Sequence, residues 1–329
     1  MSFIYAALVR PNAPFDAGCV VAGVNNVDIG AGLREHRPLD QPHPEDAGAA
    51  AILEGGPMHS KPYDDLEQTV AFAVATAKQA GNLILSVRGS IAIEHKADGS
   101  EVTEADRDAE RLIRSRIEDL DPQARVLGEE FGGESRPIEG YQWVVDPLDG
   151  TTPFSIGSPM FGTLIALLED GNPVVGVVHL PALRETLWAA SGRGCWFEAD
   201  GIAPIRVTTS GCASLDDAFV STSGLHGTEL QPIADRQLYS LSPLIGGARK
   251  LRVVGDCVQH ALVSRGRIDL AIDAAMQPWD SAALVPCIRE AGGAVSGIDG
   301  SPDDPVFGGS LVTAASDSLL EQAMAAMTP

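Results

Sequence analysis

The chain has 329 residues, 44% of them hydrophobic, and 45 acidic against 23 basic side chains, for a formal net charge of −22. That balance argues against nucleic acid or an anionic membrane surface as partner, and it admits an anionic small molecule only where cations neutralise the site locally. Five cysteines (Cys19, Cys195, Cys212, Cys257, Cys287) without Cys-x-x-Cys spacing fit reduced thiols in a cytoplasm. The seven histidines show no ligand spacing either, so a bound metal is expected on oxygen.

Residues 1–57 carry Pro11, Pro14, Pro38, Pro42, Pro44 and Pro57 and no sustained periodicity. Residues 1–61 therefore read as a loosely ordered extension, with Met58 offering an alternative start. No apolar run of membrane-spanning length and no secretory-type N-terminus is apparent. Asp64 to Val87 is predicted as a helix with Leu66, Val70, Ala73, Ala77 and Ile84 on one face, closed by Gly89. Ser90 to His95 reads as a short strand leading into the turn Lys96 to Ser100. A second helix runs from Glu104 to about Leu120, with Thr103 as N-cap. Asp106 sits in its first turn, where it either caps the helix or orients a water near a metal. Val126 to Gly133 is a short apolar segment that delivers Glu129 and Glu130 into a glycine-flanked turn.

Tyr141 to Val145 is a buried strand that runs into Asp146-Pro147-Leu148-Asp149-Gly150-Thr151. Two carboxylates three residues apart at a strand end can face one point, and Pro147 stiffens the turn between them. Gly150 permits close backbone approach, and N–H groups there suit an anion. Hard carboxylates beside such a turn describe a Mg²⁺-plus-phosphate site. Gly162–Leu168, Val174–Leu180 and Glu185–Ala190 follow as an antiparallel meander, with a hairpin signal at Asp200-Gly201 and with Trp188 and Trp196 as core or rim aromatics. Beyond Val207 strands and helices alternate: strands at 218–222, 250–254, 268–272, 294–296 and 311–315, helices at 256–264, 280–290 and 316–327. Asp280, at a helix start, either caps that helix or adds a third aspartate to the metal site.

Four motifs in order, Thr103-Glu-Ala-Asp106, Gly128-Glu129-Glu130, Asp146-Pro-Leu-Asp149-Gly-Thr151 and Trp279-Asp280-x-Ala-Ala, resemble those of the inositol monophosphatase superfamily over residues 62–329. Within it the stretches Lys96 to Arg107, Phe161 to Leu168, Gly255-Asp256-Cys257 and Ala282 to Pro286 look most like histidinol-phosphate phosphatases. The Thr152-Pro-Phe154 continuation and Trp279 depart from that branch. Inositol-1-phosphate phosphatases and broad sugar-phosphate phosphatases therefore stay open, as does a phosphoadenosine phosphatase. More distant is a binding module that kept the fold without turnover.

The resemblance implies an αβαβα layered sandwich, with residues 62–206 as an α+β half bearing the metal site and 207–329 as an α/β half. It also implies two or three Mg²⁺ ions, lithium sensitivity, a homodimer and a small phosphorylated metabolite as substrate. Carried over, Glu129, Asp146 and the Leu148 carbonyl hold one ion, and Asp146, Asp149 and Asp280 a second. Asp106 and Thr151, helped by Glu129, orient the attacking water. Gly150 and Thr151 grip the phosphate, with Thr152 beside them. Asp256 and Asp273 line the substrate pocket, and Asp273 is one methylene shorter than the usual Glu.

Overall fold

The protein is seen in a computed structural model that describes residues 63, 65–88, 94–95, 101–301 and 304–329. The expected extension 1–61, the stop at Gly89 and the turn 96–100 lie outside the described residues.

Helix α1 (Leu66–Val87) begins where Asp65 accepts hydrogen bonds from the N–H groups of Glu67 and Gln68, at 3.0 and 3.2 Å. That cap satisfies donors that have no partner inside the helix. By length and composition α1 is apolar enough to cross a membrane, contrary to the sequence expectation. In this fold its stripe of Val70, Ala73, Ala77, Ala80 and Ile84 is buried in a core cluster with the first sheet. A short antiparallel pair, β1 (Glu94–His95) and β2 (Glu101–Val102), leads to α2 (Glu104–Leu120). Ala105, Ala109, Ile113 and Ile117 bury one face of α2 beside α1.

The first sheet is a seven-stranded meander with strands in chain order: β3 (Val126–Gly128), β4 (Tyr141–Asp149), then, after the short α3 (Thr151–Ser155), β5 (Gly162–Glu169), β6 (Asn172–Leu180), β7 (Glu185–Ala190), β8 (Gly194–Ala199) and β9 (Ile202–Val207). Only β3 and β4 run parallel within it; each later neighbour is antiparallel. Its central strands are buried on both faces, which explains their unbroken apolar runs. Along β5, Ile165 and Leu167 face α1 and α2 while Leu164, Ala166 and Leu168 face the opposite core. Trp188 and Trp196 are half-buried, as rim aromatics.

The second part adds β10 (Phe219–Thr222), α4 (Ser242–Gly247), β11 (Lys250–Val253), α5 (Asp256–Ser264), β12 (Leu270–Asp273), α6 (Pro278–Ser281), α7 (Leu284–Glu290), β13 (Ala294–Ser296), β14 (Leu311–Ala314) and α8 (Asp317–Met327). Its five strands are ordered β11-β10-β12-β14-β13, parallel at β11, β10 and β12 and antiparallel beyond. Helices α5 and α7 fill the space between the sheets, and α4 and α8 cover the outer face of the second. The layers are therefore αβαβα.

Three details depart from the sequence reading. The helix expected over 280–290 is two helices, because Pro286 has no N–H to give the Ala282 carbonyl four residues earlier. Strand β4 continues past Val145 to Asp149, with its pairing to β5 shifting register between Asp146 and Asp149. The aspartates thus sit on an irregular strand end, and the turn proper is Gly150 at the start of α3. The two short helices α3 and α4 leave too little periodicity to be seen in sequence.

Candidate active site

Asp146, Asp149 and Asp280 each offer a carboxylate oxygen within 4.8 Å of the others. Backbone donors fix all three: Asp146 accepts from Leu148 N–H at 2.9 Å, Asp149 from Cys257 N–H at 2.7 Å and Asp280 from Gln277 N–H at 2.7 Å. The irregular end of β4 makes this possible. Pro147 donates nothing to the ladder, and its carbonyl instead accepts from the buried Thr163 hydroxyl at 2.9 Å. Leu148 is fully buried and anchors the segment between the two acids.

Burial pushes the carboxyls of Asp146 and Asp149 well above the usual range. Glu129, Asp149 and Asp280 add to the effect on Asp146, and Asp256 and Asp280 to that on Asp149. Asp280 is raised to about 7, chiefly by burial and further by the charge of Glu129. Glu129 sits on the turn after β3, half-buried, and its charge also raises the acids of Asp106 and Asp146. Such a set of hard oxygen donors, mutually repulsive and largely dry, suits a hard divalent cation.

Asp106 caps the helix with one oxygen and leaves the other for a second role. Its Oδ2 accepts from the N–H and the hydroxyl of Thr103, at 2.9 and 2.5 Å, closing a capping box. Its Oδ1 is buried without a hydrogen-bond partner. A buried acceptor without a partner is costly, so an exogenous donor such as water belongs there.

Gly150 takes φ +83° and starts α3, a left-handed geometry that a side chain resists. A Cβ there would stand 3.1 Å from the Met160 carbonyl and 3.3 Å from Asp256 Oδ2. Thr151 donates its hydroxyl to the Leu148 carbonyl at 3.2 Å, and Thr152 is exposed on the first turn. Asp256 opens α5 at φ +48° and faces this turn. Burial, and then the charge of Asp273, raise its carboxyl to about 6. Asp273, at the end of β12, is held by the Ser223 hydroxyl at 2.5 Å and Ala275 N–H at 3.3 Å, and His226 acts on it as a neighbouring charge. The ends of β4 and β12 and the starts of α2, α5 and α6 therefore carry the acids of the site, with the Gly150 turn beside them.

Sequence reasoning missed several supporting groups. The buried amide of Gln259 accepts from Ser221 and donates to Ser223, so it holds the hydroxyl that holds Asp273. Glu110 is completely buried one turn after Asp106, and Arg114 lies one turn further. A charged residue inside the stripe Ala105, Ala109, Ile113 was the available signal.

A layered α/β sandwich with an acidic, cation-type site at the strand ends defines a class of metal-dependent phosphatases. The model of the Inositol monophosphatase family matches residues 65–328, and the chain belongs to that family. It is 40% identical to a histidinol-phosphatase of Mycobacterium tuberculosis over 240 residues, covering 72% of this chain and 89% of the relative. A histidinol-phosphatase of Chlorobaculum parvum is 38% identical over 67% of this chain and 82% of its own length. Among solved structures, an inositol monophosphatase from Zymomonas mobilis superposes with a TM-score of 0.67 at 31% identity, covering 81% of this chain and 99% of that one. The chain is accordingly a hydrolase of phosphate monoesters in a metal-dependent family.

Proposed function

We propose that this protein hydrolyses L-histidinol phosphate to L-histidinol and phosphate with Mg²⁺ as cofactor. The observation that carries the phosphatase chemistry is the convergence of Asp146, Asp149 and Asp280 beside the Gly150 turn. Glu129, Asp146, the Leu148 carbonyl, Asp149 and Asp280 would hold the cations. When bound, Mg²⁺ supplies a lowered pKa for water and positive charge against the developing alkoxide.

The remaining steps belong to the chain. Asp106, fixed through Oδ2, presents Oδ1 to the attacking water, with Thr151 as the neighbouring hydroxyl. The N–H groups at the start of α3 lack partners within the helix and would serve the phosphate oxygens. A bond forms between the water oxygen and phosphorus while the bond from phosphorus to the alcohol oxygen breaks. The water proton passes to a carboxylate of the site and a proton is returned to the leaving alkoxide, so that water and monoester give alcohol and phosphate.

For the substrate's organic part, the charge of Asp273 adds to the cost of ionising Asp256, and a cationic amine or imidazolium beside them would relieve it. Two of the relatives are named histidinol-phosphatases, which agrees with this reading. Inositol 1-phosphate is the alternative, since carboxylates also accept from hydroxyls and a fold neighbour is named an inositol monophosphatase. Lithium sensitivity, a homodimer and a cytoplasmic location belong to the same proposal.

Phosphate release from histidinol phosphate, inositol 1-phosphate and phosphoadenosine phosphate, with and without Mg²⁺, tests it. A dominant kcat/KM for histidinol phosphate supports the assignment, and a dominant value for inositol 1-phosphate overturns it. Asp256→Ala should lower kcat/KM more for histidinol phosphate than for β-glycerophosphate, and equal losses would count against the pocket.

A further inference from the structure

The turn that presents Glu129 has little apolar anchorage of its own: Phe131 is 47% exposed and the flanking residues are Gly128, Glu130 and Gly132. Its backbone closes on itself, Gly128 and Gly132 exchanging hydrogen bonds of 3.0 and 3.1 Å. The side chain of Glu110 reaches into it from outside. That carboxylate is fully buried, and it accepts the N–H groups of Glu130 at 2.7 Å and of Phe131 at 3.3 Å. Arg114 neutralises it, Nε lying 2.7 Å from Oε1. The same guanidinium donates to the carbonyls of Gly132 and Val126, at 2.6 and 3.5 Å. A third residue of the helix, Arg111, lies over the Phe131 ring at 5.3 Å. Gly128 admits the carboxylate only because it has no side chain, since a Cβ there would stand 2.0 Å from Glu110 Oε1.

Burying the Glu110 carboxylate against a half-buried guanidinium adds little stability alone, because the desolvation offsets their attraction. The pair instead fixes geometry. Helix α2 carries Asp106 in its first turn and Glu110 one turn on, so the same rigid rod that aims Asp106 also holds the backbone on either side of Glu129.

We propose that Glu110, with Arg114, is a positioning residue that sets Glu129 as a ligand for the divalent cation and ties its place to that of Asp106. This rests on the cation-site reading above. Metal-binding side chains depend on such outer partners, whose loss typically weakens affinity by about 10–100-fold.

The test is calorimetric titration of Mg²⁺ alone into metal-free, full-length protein. The variants are Glu129→Gln, Glu110→Gln, Arg114→Lys and, as a control for plain destabilisation, Ile113→Ala on the same helix. The inference expects Glu110→Gln to raise the Mg²⁺ Kd by about tenfold or more, approaching Glu129→Gln. Arg114→Lys should give a smaller rise, because an ammonium cannot serve the carboxylate and both carbonyls in one plane. Ile113→Ala should lower Tm and leave Kd unchanged. At saturating Mg²⁺ the substrate KM of the Glu110 and Arg114 variants should stay within about twofold of the parent, since outer partners act on the metal. A folded Glu110→Gln protein with the parent's Kd overturns the inference. Should that variant not fold, an unchanged Kd in Arg114→Lys overturns it in the same way. A parent that binds no Mg²⁺ sinks the cation-site reading itself, an outcome distinct from parent-like variants.

Discussion

The carboxylate of Asp106 divides its two oxygens between a helix cap through Oδ2 and a buried position without a partner at Oδ1. The division separates structure from chemistry. An asparagine can keep an oxygen for the Thr103 N–H and hydroxyl and place its amide where Oδ1 was. Asp106→Asn should therefore leave Tm nearly unchanged while lowering kcat by about 10²–10⁴-fold, the usual worth of a proton acceptor in place. Mg²⁺ binding should persist in that variant, as calorimetry would register. Asp146→Asn should behave otherwise. Its carboxylate lies among the acids of Glu129, Asp149 and Asp280, so turnover and metal affinity should fall together. Retained turnover at saturating Mg²⁺ would remove Asp146 from the site. Asp106 and Asp146 were visible in sequence because each sits in a short acidic motif at the end of a periodic element. Glu110 and Gln259 were not, since the groups they hold near the site, Glu130 N–H and the Ser223 hydroxyl, are 20 and 36 residues away and only the folded backbone brings them together.

At the scale of elements, the site depends on how tightly the middle helices sit on the first sheet. Strand β6 and α7 meet at Gly176, where a Cβ would lie 2.2 Å from the Ala283 carbonyl and 2.6 Å from the Pro286 ring. The same break in hydrogen bonding that splits α6 from α7 lies against this glycine. Glu290, at the end of α7, binds the β7–β8 turn through the N–H groups of Gly192 and Gly194, both at 2.7 Å. Gly176→Ala should push α7 off the sheet and cost about 1–3 kcal/mol as overpacking, read as a lower denaturation midpoint. Activity per folded molecule should fall too, because Asp280 rides on α6 next in the chain; a neutral variant would mean that the helix can shift freely. Long elements such as α2, β5 and β7 were legible because their apolar periods span several turns or alternations. The register shift at Asp146–Asp149 and the break before Leu284 were not, since both follow from which backbone groups a proline leaves unpaired.

For the whole molecule, the acids of the site make folding and metal binding one equilibrium. Raised carboxyl pKa values mean that the metal-free folded state holds protons that the unfolded chain has released. Their contribution is present below the ordinary carboxylate range and is lost as pH rises through the folded values, about 7 for Asp280 and higher than usual for Asp146 and Asp149. Two buried histidines work the other way. Burial lowers His179 to about 4 and His260 to about 3, so they cost stability as pH falls below the unfolded histidine range. The two effects oppose each other in mild acid. Above pH ~6.5, the unperturbed histidine value, only the acids remain. There each extra proton on the folded state costs about 1.4 kcal/mol per pH unit. The metal-free protein should therefore lose roughly 3–6 °C of Tm between pH ~6.5 and ~8. A bound divalent cation replaces those protons, so saturating Mg²⁺ should flatten the slope and raise Tm more at the alkaline end. Calorimetric melts at a series of pH values, with chelator and with Mg²⁺, give the comparison. A metal-free Tm that is flat or rising over this range would mean that the carboxylates are better hydrated than their burial implies, and the case for a preformed cation site would fall with it.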